Sequence, residues 1–269
     1  SCSLVGSEMC IRDRSYIEKN YADYSLSLAL SYNVSGIVFF PRKYNKNAIN
    51  LINQNNIPLV LVDREMPECQ TNFVRCDDYQ GGYIAGKHLL ELGHRHFLYL
   101  PGPKYNLSQT RRYAGIMDAL SEANVPASNI REIDYHTVFG SSAESTSSYK
   151  PYEELFFPVN YTAVIGFNDL QSYSAMEILQ KKGYRIPEDI SLISFDHLRK
   201  THTYLPPLTS IADNSEKSIA DTAVSILLDK IRNRSSEISS EVLPVSIFDD
   251  HTTGPVSYTH LTLPTNSLV

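Results

Sequence analysis

Tryptophan is missing from all 269 residues, and cysteine is limited to four. Any aromatic surface that stacks on a ligand must therefore come from the 18 tyrosines or 10 phenylalanines. Cys2 and Cys10 fall at the very start, and the spacing of Cys69 and Cys76 fits neither a CxxC motif nor a disulfide framework. The latter two read as idle thiols in a reducing compartment. No run approaches the roughly 18 apolar residues of a membrane span, and the opening residues hold no basic segment followed by an apolar stretch. Basic residues are outnumbered 24 to 30, giving a net charge of −6. That balance excludes a grip on nucleic acid by this portion alone, since phosphate binding needs a basic face.

Several chemistries are absent as well. There is no GxxxxGK[ST] phosphate loop, no HExxH and no GxSxG nucleophile elbow. "GGYIAG" (residues 81–86) breaks the GxGxxG spacing and falls inside a helical stretch. His88, His94 and His96 straddle a helix end, the Gly93 stop and a strand start. They read as cations favouring a helix C-terminus rather than as a metal site. No pair of carboxylates has a spacing that fixes acid and base roles. No catalytic residue, metal or cofactor is expected, and enzymatic function is unsupported. Four Asn-x-Ser/Thr sequons, at Asn33, Asn106, Asn160 and Asn233, are taken as chance.

What the chain does have is alternation. "SGIVFFP", "IPLVLVDRE", "HFLYLPGP", "YTAVIGFND" and "ISLISFD" are apolar runs with little polar alternation, separated by helical patterns of ten to eighteen residues. "NKNAINLINQNN", "YQGGYIAGKHLLELG", "SQTRRYAGIMDALSEANV", "LQSYSAMEILQKKG" and "SEKSIADTAVSILLDKIRN" are the helices, and "SLSLALSYNV" reads as the end of another. "IREIDY" and "LTSI" are short strands, and "EVLPVSIFDD" is read as one final strand. Such a pattern predicts an α/β protein whose parallel sheets are covered on both faces. Ligands of these sheets bind outside the carboxyl ends of the strands. Polar pairs end four of them: Asp63 with Arg64, Asp77 with Asp78, Asn168 with Asp169, and Asp196 with His197. Any one pair can cap the next helix, but four together favour a binding cleft.

In order along the chain stand "DDYQGGYIAGKHLLELGHRHFLYLPGP", "RRYAGIMDAL", "FNDLQSYSAMEILQKKGYRIPEDISLISFDH" and "LPPLTSI". This series closely resembles the effector-binding domain of LacI/GalR-type transcription regulators, over roughly residues 16 to 254. The resemblance implies a periplasmic-binding-protein-like fold of two α/β lobes joined by crossing strands, with a small effector in the cleft. By that match lobe 1 takes 15–76 plus 213–240, and lobe 2 takes 77–212 plus 241–254. Carried over by matched position, the expected effector contacts are Asp63, Ser108, Arg112, Tyr135, Asn168, Asp196 and the hinge residue Asp213, with Phe139 as an alternative aromatic. The planar fork of Arg112 suits vicinal hydroxyls or a carboxylate. Asn168 is equally read as a helix cap, and Tyr135 as ordinary core.

The resemblance further implies a cytoplasmic repressor, a sugar-like effector, a homodimer built on first-lobe helices, and operator DNA bound through an N-terminal helix-turn-helix absent from this sequence. Effector binding would change the angle between lobes. An exported sugar-binding protein of a transporter is the alternative. The chain departs from the family in lacking the first strand and helix of lobe 1, in having Asp at position 78 where Asn is usual, and in the polar stretch "GSSAESTSSYKPYEELF", where the expected helix is shortened or frayed. The ends "SLVGSEMCIRD" and "VSYTHLTLPTN" resemble translated sequencing-adapter DNA, so residues 1–14 and 255–269 are expected to be non-native tails.

Overall fold

The protein is described from a computed structural model, over residues 2–4, 31–32, 34–40, 46–66, 68–103, 106–133, 152–234 and 237–256. The chain divides into two compact units. Unit 1 holds Ser1–Asp77 with Asp213–Pro244, and unit 2 holds Asp78–Ala212 with Val245–Val269.

Unit 1 is a five-stranded sheet in the order β1-β2-β3-β4-β10. β2 (Ile37–Phe39), β3 (Leu59–Val62), β4 (Asn72–Cys76) and β10 (Ser240–Leu243) run parallel, while β1 (Cys2–Leu4), within the stretch set aside as a tail, pairs antiparallel with β2. Because successive residues of a strand face opposite sides, Ile37, Leu59 and Leu61 join one core with Ile49 and Ile52 of α1 (Lys46–Gln54). Val38, Val60 and Val62 join a second core with Ala223 and Leu227 of α5 (Ile219–Asn233). Ser218 caps α5, its hydroxyl accepting from the Asp221 N–H at 3.1 Å.

Unit 2 repeats the plan with six strands, β11-β9-β8-β7-β5-β6. β5 (Phe97–Leu100), β6 (Ile130–Glu132), β7 (Ala163–Gly166), β8 (Ser191–Phe195) and β9 (Thr209–Asp213) run parallel to one another, and β11 (Val245–Phe248) lies beside β9. Phe97 and Tyr99 pack with α2 (Asp78–Glu91) and α3 (Leu107–Glu122), whereas Leu98 and Leu100 pack on the other face with α4 (Asp169–Lys181). Burial on both faces is why these strands read as unbroken apolar runs.

Two expectations need correcting. "EVLPVSIFDD" is not one strand: Pro244, lacking an N–H for the ladder, separates β10 from β11 (Val245–Phe248), and the two belong to different sheets. Ser240–Leu243 pairs with Asn72–Cys76, so residues 241–243 lie in unit 1, not with the second lobe. The polar stretch yields a 3₁₀ turn at Tyr152–Phe156; what precedes it, like "SLSLALSYNV" before Ser31, lies outside the described residues.

His94 is the second correction, since it is no helix-terminal cation. It is 2% exposed, with Nδ1 at 2.8 Å from Thr162 Oγ1 and Nε2 at 2.9 Å from Ser191 Oγ and 3.0 Å from Gly254 O. Burial holds its pKa below the ordinary histidine value. A histidine depressed in the folded state contributes stability that is present above its unfolded pKa of about 6.5 and lost as pH falls through the folded value. Denaturant melts between pH 7 and pH 5 are therefore expected to show a loss of stability that is smaller in His94→Gln, whose amide does not titrate. An identical pH slope in both proteins would refute the assignment.

Candidate functional site

The site grows out of a helix crossing. A Cβ added to Gly82 of α2 would lie 2.0 Å from the Arg112 carbonyl oxygen, and one added to Gly115 of α3 would lie 2.1 Å from the Tyr79 carbonyl oxygen. The two backbones touch, which only glycine permits. Gly82 and Gly86 of "GGYIAG" thus serve helix packing, and the spacing of Arg112 and Gly115 acquires a physical reason. Gly115 brings α3 against α2 while Arg112, one turn earlier, reaches Asp78 at the start of α2. Tyr79 and Tyr83 donate across the crossing to Asp118 (2.7 Å) and Glu122 (2.6 Å).

Arg112 and Asp78 are 6% and 2% exposed. Arg112 Nε donates to Asp78 Oδ1 at 2.8 Å, Nη1 donates to the Phe167 carbonyl at 2.6 Å, and Nη2 is 3.5 Å from Asp196 Oδ1. Its guanidinium lies over the rings of Phe195 (4.5 Å) and Phe167 (5.0 Å), a cation–π arrangement. Gly102 makes room for Phe167, since a Cβ there would meet the ring at 2.6 Å. The plane of the guanidinium is fixed from three sides.

Asp196 ends β8, and 43% of its side chain is open. Loss of water contacts to surrounding protein raises its pKa, Arg112 pulls it down and Asp78 pushes it up. Two carboxylates share one guanidinium, so the cluster carries excess negative charge wherever both are ionised. The strand-ending aspartates of the two units share a positive φ and an N–H bonded to the neighbouring strand. Asp196 has φ +97° and its N–H donates to the next strand at Ile211 O (3.0 Å); Asp63 has φ +59° and its N–H donates to Val74 O (2.8 Å).

Among the expected contacts, Arg112 and Asp196 are brought together, with Asn168 next in sequence to the carbonyl that holds Arg112. Ser108 is buried in the first turn of α3, its N–H donating to the capping Asn106 side chain at 3.0 Å. Asp63 and Asp213 belong to unit 1, where Asp213 accepts from Ser215 Oγ at 3.0 Å. Tyr135 and Phe139 lie outside the described residues. Sequence reasoning marked Asp78 as one of a polar pair and as a departure from the family's usual Asn, but not as the partner of Arg112. The flanking Phe167 and Phe195 carried no signal, being indistinguishable from core.

Asn168 does cap α4, its side chain accepting from Gln171 N–H at 3.0 Å. Asn168→Ala is expected to cost about 1 kcal/mol and Asn168→Asp almost nothing, as both Asn and Asp accept at a cap. Urea melts giving equal losses for the two would remove the cap from the account.

A family model described as a periplasmic binding protein-like domain matches residues 87–253. The transcriptional repressor PurR of Klebsiella pneumoniae (strain 342) is 32% identical over 223 residues, covering 81% of this chain and 63% of that protein. PurR of Mannheimia succiniciproducens is 28% identical over 214 residues, covering 79% and 62%. Among solved structures, a LacI family transcriptional regulator from Enterococcus faecium with bound ribose superposes with a TM-score of 0.74 at 25% identity, covering 88% of this chain and 85% of that one. The chain spans about six tenths of the length of the curated relatives it matches.

Proposed function

Since the chain belongs to the periplasmic-binding-protein-like domain family, we propose that it is the effector-sensing part of a LacI/GalR-type transcriptional repressor taking a small sugar-like metabolite. The observation that carries this reading is the Arg112 guanidinium, locked by Asp78 and Phe167 O beside the half-open carboxylate of Asp196. A sugar hydroxyl both donates and accepts. A fixed donor plane beside a carboxylate acceptor matches a pair of such hydroxyls, and the geometry is set before the ligand arrives, which lowers the cost of binding. Ser108 and Asn168 complete the proposed contacts of unit 2, while Asp63 and Asp213 of unit 1 are proposed on the family resemblance alone.

Effector affinity differing between two arrangements of the protein shifts the population between them. In the full-length repressor that shift reaches a DNA-binding segment, and the working form is a homodimer in the cytoplasm. The repressors among the relatives support this reading over an exported sugar receptor, and in the described residues no helix is long and apolar enough to cross a membrane. The test is a gel-shift assay with the full-length product of the native gene and DNA from upstream of that gene. Retention of a specific fragment that a monosaccharide strengthens or releases is the expected result. A full-length product that ignores DNA and carries a cleaved export signal would replace the repressor with the receptor.

A further inference from the structure

Asp196 and His197 are consecutive non-glycine residues with positive φ, +97° and +47°. Such a turn persists only where its surroundings hold it, and the hydrogen bonds of the two amides after Asp196 lead to one side chain. Asp169, 1% exposed, accepts from Leu198 N–H through Oδ2 at 2.7 Å and from Ser210 Oγ through Oδ1 at 2.8 Å. Ser210 Oγ in turn accepts from His197 N–H at 2.9 Å. One carboxylate on the first turn of α4 thus ties down both amides that follow Asp196, one directly and one through a serine on β9.

We infer that Asp169 is the positioning residue of the ligand site, holding the strained turn that presents the Asp196 carboxylate. The inference rests on the reading of Asp196 as a ligand contact, and the positioning itself is independent of any ligand. Burial raises the Asp169 pKa to about 6, with Asp196 pushing the same way and the Leu198, Ser210 and Ser194 bonds opposing. At neutral pH the group is ionised, the state in which both oxygens accept. An ionised carboxylate in the interior is costly for the fold, and its retention here has a reason if the turn needs two acceptors at once.

The test is amide hydrogen exchange on the full chain without ligand, comparing Asp169→Ala, Asp169→Asn and Ser210→Ala with the parent. Asp169→Ala is expected to speed exchange at His197 and Leu198 by about tenfold or more, as loss of a charge-assisted hydrogen bond implies. Ile193 and Val164, in the strands beneath, should keep their rates. Asp169→Asn, with one carbonyl acceptor left, should recover part of the protection, and Ser210→Ala should loosen His197 more than Leu198. Unchanged rates at 197 and 198 in Asp169→Ala, or an equal rise across β7 and β8, would overturn the inference. If instead the turn loosens as expected while Asp196→Ala leaves sugar affinity untouched, positioning stands and only the ligand role of Asp196 falls.

Discussion

Arg112→Ala is expected to destabilise unit 2 by about 3–5 kcal/mol and to abolish effector binding, because it strands the Asp78 carboxylate in the interior. Asp78→Ala is expected to cost less, because the guanidinium keeps the Phe167 carbonyl and the Asp196 carboxylate as partners. Both groups are nearly inaccessible, and their 2.8 Å ion pair is shorter than the 3.5 Å pair of Arg112 with Asp196. Removing both leaves no uncompensated charge in the interior, since the remaining Asp196 carboxylate is half open, so the double variant should fall well short of the sum of the singles. It should still bind no sugar, since the oriented donor plane is gone. Urea denaturation of the four proteins closes the cycle. Strict additivity would mean that the two charges do not depend on each other, and the site would lose its anchor.

The second large effect concerns the helix crossing. Gly82→Ala and Gly115→Ala are expected to cost at least the ~3 kcal/mol at the upper end of overpacking, because in each case the new methyl meets backbone rather than a side chain able to swing away. Gly86→Ala is the graded control: its Cβ would meet the Ala119 methyl at 2.9 Å, a lesser clash. Gly82→Ala should also weaken effector binding, since it pushes on the main chain of Arg112 itself. Thermal melts ordering Gly86→Ala above both others would support the crossing as described. Three equal melting temperatures would contradict it.

Much of this was legible in the sequence because it depends on local pattern. Unbroken apolar strands marked sheets buried on both faces, Gly93, found at φ +90°, marked a helix end, and polar residues ending strands marked the edge where Asp196 stands. Contacts between distant residues were not legible. Arg112 and Asp78 are 34 positions apart and meet only because two glycines let two helices touch. His94 looked like a helix-terminal cation because its partners Thr162, Ser191 and Gly254 arrive from far along the chain. The break at Pro244 was visible as a residue, yet its consequence, a strand on each side belonging to a different sheet, required knowing which strands pair.

The most direct test of the central claim is calorimetric titration of the chain with neutral monosaccharides, D-ribose among them, comparing the parent with Asp196→Asn. The half-open Asp196 side chain can change without a buried charge being stranded. The account predicts that a monosaccharide binds the parent and that Asp196→Asn weakens it by about tenfold to a hundredfold, the worth of a hydrogen bond to a charged group. Equal affinity in both proteins, or no binding of any neutral sugar to the parent, would contradict it.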